Sequence, residues 1–305
     1  MNILLLGKNG QVGWALQRAL QPLGRVYAFG QETKADGLSG DITDFDGVAR
    51  LINQIKPDVV VNAAAYTAVD RAEQECEQAE QINHHAVRHL AAQCREINAL
   101  LVHYSTDYVF NGQGCSPWHE DNETAPLNIY GQSKRAGEIA LENSGARFLN
   151  FRTSWVYGVH GSNFIKTMLK LAKTKDTLNI INDQIGAPTG ADLIADITAH
   201  AVHHYFRLPE NERETLMGTY HLAAAGETTW YEYANFIFQA AREQGYAMQI
   251  KQVSPITTAN YPTPAVRPLN SRLDTQKLRA TFSLHLPEWQ IGVKHAINDI
   301  LESKP

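Results

Sequence analysis

Short apolar runs and longer segments of helical period alternate along the first half of the chain. The runs cover residues 3–6, 26–29, 59–61, 100–104 and 148–151. Each is too short for a helix and rich in residues that suit a strand buried on both faces. Between them, apolar positions recur at helical spacing over 11–20, 45–55, 68–97 and 128–142. Strands alternating with helices predict an α/β fold, a doubly wound parallel sheet with helices on both faces. Pro57, between Lys56 and Asp58, marks a sharp helix-to-strand turn, because proline cannot continue a helix. The acidic stretch from Glu73 to Glu80 reads as a solvated helix face.

Beyond about residue 155 the pattern changes. Pro188, Pro255, Pro262, Pro264, Pro268 and Pro287 interrupt the chain and clear strands are fewer. Helices are expected over 163–174, 191–205, 229–244 and 287–303. Thr228 or Thr229 is the expected N-cap of the third, with Glu232 in its first turn. The chain divides on this reading into a nucleotide-binding domain over 1–155, to which some later segments return, and a smaller α/β portion over 156–305 that covers its crevice.

Composition narrows the function. A chain of 305 residues at 44% hydrophobic and 19% charged is globular, and its formal charge of -5 argues against nucleic acid and anionic membrane as partners. An anionic substrate would need a local basic patch. The start has no basic region and only four consecutive apolar residues, and no run approaches the roughly 20 residues of a spanning helix. Cys76, Cys94 and Cys115 are odd in number, widely spaced and without a C-x-x-C, as expected of reduced thiols in the cytoplasm. The pairs His85/His89 and His200/His204 have i,i+4 spacing, but no accompanying motif supports a metal there.

Gly7-x-x-Gly10-x-x-Gly13 follows the first apolar run directly. A strand that turns at once into a helix leaves unpaired N–H groups that favour phosphate. Gly7 allows the tight turn, Gly10 the approach of a pyrophosphate, and Gly13 close helix packing; Gln11 and Val12 lie between them. A glycine-rich turn with no ligand has the same spacing. The second strand ends in Gly30-Gln31-Glu32 without an Asp at its tip, and Lys34 stands nearby, so NADPH or NADH are both expected. Asp41 and Ile42, after an expected further strand, would flank an adenine. Ala63, Ala64, Ala65, Tyr66 and Thr67 follow the strand 59–61, where small side chains leave room for a ligand or for helix packing.

Tyr130 and Lys134 are four apart and share one helix face. A tyrosine of pKa about 10 is a poor acid-base group at neutral pH, and a nearby ammonium favours the phenolate. Such pairs arise often by chance. This one gains weight from Tyr104-Ser-Thr106-Asp107-Tyr-Val-Phe110, at the end of the strand over 100–104, where Thr106 can hydrogen-bond a carbonyl beside Tyr130. A Ser-Thr-Asp turn that merely caps the strand is the alternative.

These segments resemble the extended short-chain dehydrogenase/reductases, and the resemblance covers essentially the whole chain. Val61-Asn-Ala-Ala-Ala65 belongs to that general pattern, while Arg152-Thr-Ser-Trp-Val-Tyr157, Asn182-Asp-Gln-Ile-Gly-Ala-Pro-Thr189 and Arg267-Pro-Leu-Asn-Ser-Arg-Leu273 carry the resemblance further, toward the dTDP-4-dehydrorhamnose reductases. That family implies a Rossmann-like fold and reduction of the C4 keto group of dTDP-4-dehydro-L-rhamnose, for cell-surface polysaccharide. It implies Thr106, Tyr130 and Lys134 as catalytic residues. The cofactor would lie against Gly7, Gly10, Gln11, Val12, Gly13, Asp41, Ile42, residues 63–67, Tyr104, Tyr130 and Lys134. The sugar nucleotide would touch Thr106, Asp107 and Trp155, with Arg267 and Arg272 toward its diphosphate. Some family members bind Mg²⁺ at a dimer interface through glutamates. The matching positions here are Ala15, Asp192 and Gln290, so no metal is expected, and a monomer or weak homodimer is. Two other readings remain open: another sugar-nucleotide reductase or epimerase of the same fold, and a non-catalytic subunit similar to the methionine adenosyltransferase β subunit.

Overall fold

In the computed structural model, which describes residues 1–32 and 37–302, six parallel strands form the central sheet. They are β1 (Asn2–Leu6), β2 (Arg25–Phe29), β3 (Val59–Asn62), β4 (Leu100–Thr106), β5 (Arg147–Thr153) and β6 (Gly218–His221), in the order β6-β5-β4-β3-β1-β2. The chain moves to one side of β1 with β2 and to the other with β3, β4 and β5. The switch point lies at the carboxyl ends of β1 and β3, where open α/β sheets bind ligands.

One face of the sheet is covered by α1 (Gln11–Ala19), α8 (Ala191–Arg207) and α10 (Gln276–Phe282), over Ile3, Leu5, Val61, Val102, Leu149 and Tyr220. The other carries α2 (Phe45–Ile55), α5 (Ala86–Glu96) and α6 (Ile129–Glu142), over Leu4, Val60 and Leu101. A second core joins α7 (Phe164–Ala172), α9 (Trp230–Glu243) and α11 (Trp289–Glu302) around Tyr233, Phe238 and Trp289. Caps set several helix starts as the sequence implies. Asn128 and Asn163 side chains accept from Gly131 N and Lys166 N. Thr229 and Glu232 close a reciprocal capping box at α9.

Three expectations fail. The segment 68–97 is not one helix: it divides into α3 (Val69–Ala72), α4 (Cys76–Glu80), a π-helical turn (Gln81–His85) and α5. Nor is its acidic stretch merely solvated. Glu73 accepts from Ile129 N at 2.9 Å, Glu75 from the Tyr66 hydroxyl at 2.5 Å, and Glu80 meets His84 at 2.5 Å. The Glu73 and Glu75 contacts tie the broken segment to α6 and to Tyr66. No further strand follows β2 before Asp41 among the described residues. The last helix runs to Glu302, and Ser303 and Lys34 lie outside the described residues.

Under α6 the sheet face turns from apolar to polar toward its carboxyl ends. Asn62, His103, Asn150 and Thr219 stand in register, one on each of β3, β4, β5 and β6. The next level holds Ser105, Arg152 and His221. Glu138 of α6 descends onto Arg152 with two hydrogen bonds of 2.8 Å, both residues buried. Breaking such a pair strands a charge in the interior. Arg152→Met is expected to lower stability by about 3–5 kcal/mol, read as a reduced urea midpoint with the slope unchanged.

Candidate active site

The glycine loop is built for a close ligand. Gly7 has φ +81°, and a Cβ there would lie 2.5 Å from Ala64 N, so this loop sits directly on the backbone after β3. A Cβ on Gly13 would lie 2.0 Å from Gly7 O, which forces glycine where α1 leaves the strand. Gly10 differs: its nearest neighbour would be 3.5 Å away. Internal packing therefore tolerates a side chain there, while an incoming anion would not. Gly10 caps α1 with no side-chain hydrogen bond. The first-turn N–H groups are thus open to phosphate oxygens. Val12 packs into the core, and Gln11 accepts from Asn163 Nδ2 at 3.0 Å, which ties the loop to the chain before α7. Glu32 reaches this loop by an ion pair with Lys8 and by accepting from Asn9 Nδ2 at 3.1 Å. The Lys8 contact holds its carboxyl below the usual range.

The segment after β3 continues the crevice floor. Ala63, Ala64 and Ala65 are half-buried and Thr67 is exposed. Tyr66 turns away from the crevice, with its ring buried and its hydroxyl on Glu75. Its backbone N and O are both held by Asn83 from the π-helical turn, at 2.9 and 3.0 Å. Asn83 also donates to Ser133 on α6 at 3.0 Å. This one carboxamide links the cofactor side to the helix carrying Tyr130. Asp41 accepts from Thr43 N and Oγ1, and Ile42 is buried in the core. Neither side chain is turned outward for an adenine, which leaves their backbone.

Thr106, Asp107 and Tyr130 are brought together at the end of β4. Thr106 Oγ1 accepts from Tyr108 N at 3.2 Å and donates to Asp107 Oδ1 at 3.0 Å. Burial pushes the Tyr130 phenol up to about 12; a hydrogen bond with Thr106 opposes the rise and the Asp107 charge adds to it. The expected lowering of this pKa by Lys134 is absent from that balance. Lys134 Nζ instead donates to Tyr104 O at 2.5 Å and lies 3.4 Å from His103 Nε2. Burial lowers Lys134 to about 8, against the favourable charge of Glu138. Tyr104 faces the opposite side of the sheet and bonds Thr198 on α8 at 2.8 Å.

On the substrate side, burial raises Asp107 to about 6, opposed by hydrogen bonds from Ser271 and Thr106. Trp155 adopts φ 47°, unusual for so bulky a residue, and stacks on Trp230 with centroids 3.7 Å apart. Arg267 is bidentate to Asp70 at 2.8 and 3.1 Å, and Arg272 lies 3.4 Å from Glu227. Neither guanidinium is a bare charge, so a diphosphate would share or displace these carboxylates. Asn83, His103 and Glu138 escape sequence reasoning because they sit inside strands and helices without a motif, while Asn62 and Arg152 stand in segments the sequence singles out but with no role assigned. The one available signal is polarity at positions that the strand period places inside.

The residues at the family's Mg²⁺ positions do not fit that ion. Ala15 has no donor and is buried. Asp192 lies 4.0 Å from Arg18, and Gln290 Oε1 is buried without a hydrogen-bond partner. Mg²⁺ takes hard carboxylate oxygens, and one is too few. Of the two histidine pairs, His200 bonds Phe282 O at 2.9 Å and His89 stacks on Phe45. Among the described residues, the His/carboxylate grouping that does form is Glu80, His84 and His85.

Comparison with known proteins agrees with this geometry. The family model described as the RmlD substrate binding domain matches residues 1–302. The dTDP-4-dehydrorhamnose reductase of Escherichia coli strain K12 is 51% identical over 300 residues, covering 98% of each chain. A dTDP-4-dehydrorhamnose reductase from Bacillus anthracis, solved in complex with NADP, superposes with a TM-score of 0.87 at 34% identity, over 98% of this chain and 99% of that one. Thermus thermophilus UDP-glucose 4-epimerase, solved with NAD, reaches 0.79 over 100% of both chains but at 20% identity, which shows the shared fold.

Asp107 sets a measurable conflict between site and stability. Its folded pKa, raised to about 6, exceeds the unfolded value near 3.9. Its contribution is therefore full below the unfolded pKa and is lost as pH rises through about 6. Asp107→Asn is expected to gain roughly 2–3 kcal/mol over wild type at pH 8 relative to pH 3, read by denaturant unfolding at both pH values, while turnover falls. An identical pH dependence in the two proteins would refute the assignment.

Proposed function

The chain belongs to the dTDP-4-dehydrorhamnose reductase family, and from that premise we propose that it reduces the C4 keto group of dTDP-4-dehydro-L-rhamnose with NADPH or NADH. The observation that carries this reading is the convergence of Thr106, Asp107 and Tyr130 at the end of β4, with Lys134 one turn behind Tyr130 on α6. Gly7, Gly10 and Gly13 would hold the diphosphate at the start of α1, and Lys134 the ribose beside the nicotinamide. When bound, the cofactor supplies the hydride that reaches the C4 carbon.

The residues supply the proton and the orientation. Tyr130, held protonated by burial, gives its phenolic proton to the carbonyl oxygen, which becomes the C4 hydroxyl. Thr106 turns its own hydroxyl proton from Asp107 to that oxygen and polarises it. The Trp155–Trp230 stack offers a flat apolar wall for the sugar nucleotide. Arg267 and Arg272 supply the local positive charge that a chain of net charge -5 needs for a diphosphate.

Glu32 and Lys8 support use of both coenzymes. Glu32 can accept from a ribose 2′-hydroxyl, and Lys8, once turned from Glu32, can meet a 2′-phosphate. An epimerase of the same fold would recycle its nucleotide, so stoichiometric oxidation of NADPH separates the readings. The presence of Thr106, Tyr130 and Lys134 together speaks against a non-catalytic subunit. The three cysteines form no disulfide, and no described helix is long and apolar enough to cross a membrane. Both facts suit the cytoplasmic setting that we assign.

Oxidation of NADPH and of NADH is expected with freshly prepared 4-keto-rhamnosyl nucleotide, at a rate indifferent to EDTA. Tyr130→Phe is expected to lose at least about 10²-fold in kcat. Near wild-type turnover in that variant would remove Tyr130 from the mechanism. A strong Mg²⁺ requirement would overturn the reading of Ala15 and Gln290.

A further inference from the structure

Asn62, His103 and Lys134 form a buried chain beneath the crevice, and its hydrogen-bond directions are fixed at one end. Ala64 N donates to Asn62 Oδ1 at 3.2 Å. That bond orients the carboxamide, so its nitrogen is the atom 3.2 Å from His103 Nδ1. A carboxamide nitrogen donates only. Nδ1 is therefore the acceptor, and a neutral imidazole must carry its proton on Nε2. The ring is neutral, since burial and the Lys134 charge hold it well below its ordinary pKa. Its Nε2 lies 3.4 Å from Lys134 Nζ. An ammonium has three donors and no lone pair, so it cannot answer an Nε2–H, whereas a neutral amine can.

We propose that His103 is a positioning residue, locked by Asn62 as its Nε2–H tautomer, that favours the neutral amine of Lys134 and so couples dinucleotide binding to proton uptake. This rests on reading Lys134 as the group beside the cofactor ribose. The groups around Lys134 define the balance. Glu138 on its own helix favours the ammonium, though Arg152 of β5 and Arg135 of α6 pair with that carboxylate. From β4, Tyr104 O accepts from Nζ, while the Tyr104 hydroxyl is engaged with Thr198 of α8. From β3, Asn62 is uncharged. Tyr130, one turn before, is held neutral. An anionic dinucleotide adds a charge that favours the ammonium. The amine then takes one proton from solvent and becomes –NH₃⁺, with no other bond changed.

Calorimetry of NADPH binding in buffers of different ionisation enthalpy measures this uptake. Above pH 7 the 2′-phosphate of NADPH, with a pKa of about 6, is already ionised and does not contribute. With Lys134 at about 8 before binding and near its ordinary 10.4 after it, uptake is expected to reach roughly 0.7 proton per NADPH near pH 8.5. Lys134→Met is expected to abolish it, and persistence of the uptake would overturn the proposal. In His103→Leu the onset of uptake is expected to move up by about one pH unit, the worth of one ordinary hydrogen bond. No shift, or a downward one, would mean that Nε2 accepts from Lys134, and would equally overturn it. The wild-type protein provides a test without variants: ¹⁵N NMR of the His103 ring is expected to find the proton on Nε2, and an Nδ1–H ring refutes the inference. None of these readouts uses sugar-nucleotide turnover. A protein inactive toward the dTDP-sugar, or one that fails to bind NADPH, would count against the proposed function and leave the NMR test in force.

Discussion

Helix α6 has to bury two charges, Lys134 and Glu138, one turn apart against the same sheet face. Much of the site follows from that constraint. A buried charge persists only when paired and hydrogen-bonded. The strands opposite therefore give up apolar side chains at two levels, where His103 and Asn150, then Ser105, Arg152 and His221, replace the valines and leucines of the lower sheet. Close approach is needed as well. A Cβ on Gly131 would lie 2.3 Å from Tyr108 O, and one on Gly137 2.2 Å from Asn83 O. The helix is thus seated by two small residues and two charges, and Tyr130 inherits its position from them.

This constraint also explains which features were legible in the sequence. The lower halves of β1, β3, β4 and β5 read clearly, because strands buried on both faces must be apolar. Their upper ends did not. Asn62, Ser105 and Thr106, and Arg152 and Thr153 are polar and follow the expected runs, so the strands extend beyond the expected limits, to Asn62, Thr106 and Thr153. The short strand β6, Gly-Thr-Tyr-His, has one strongly apolar position and takes its place from pairing with β5. The residues proposed as catalytic were picked out from type and spacing. Their partners were not, since Asn83 and His103 act through tertiary contacts that neither period nor motif records.

The segment 266–270 is tied to the N-terminal residues around the site by polar straps. Arg267 grips Asp70 beside the Tyr66 loop, and Asn128 at the start of α6 donates to Val266 O at 2.7 Å. Trp118 Nε1 donates to Asn270 O at 3.0 Å, and its ring stacks on Phe110 just after the turn that carries Thr106 and Asp107. Each strap ends close to a residue of the site. The wall that would meet the sugar nucleotide and the floor that would meet the cofactor are therefore mechanically linked, and both report to α6. That arrangement gave the sequence reading its weakest purchase on Arg267: the residue type suits a phosphate, but its carboxylate partner lies 197 residues away.

Thr106 has a single hydroxyl proton, and Asp107 holds it. A carbonyl entering beside Tyr130 is thus a competitor for a proton already placed, and its rival is a carboxylate rather than water. The contest is uneven. A carboxylate outbids a ketone until charge accumulates on the ketone oxygen, which happens as hydride arrives. The hydroxyl would therefore change allegiance along the reaction coordinate and bind the reacting state more strongly than the resting one. In this arrangement selectivity for the transition state needs no moving segment; it needs only an acid beside an alcohol.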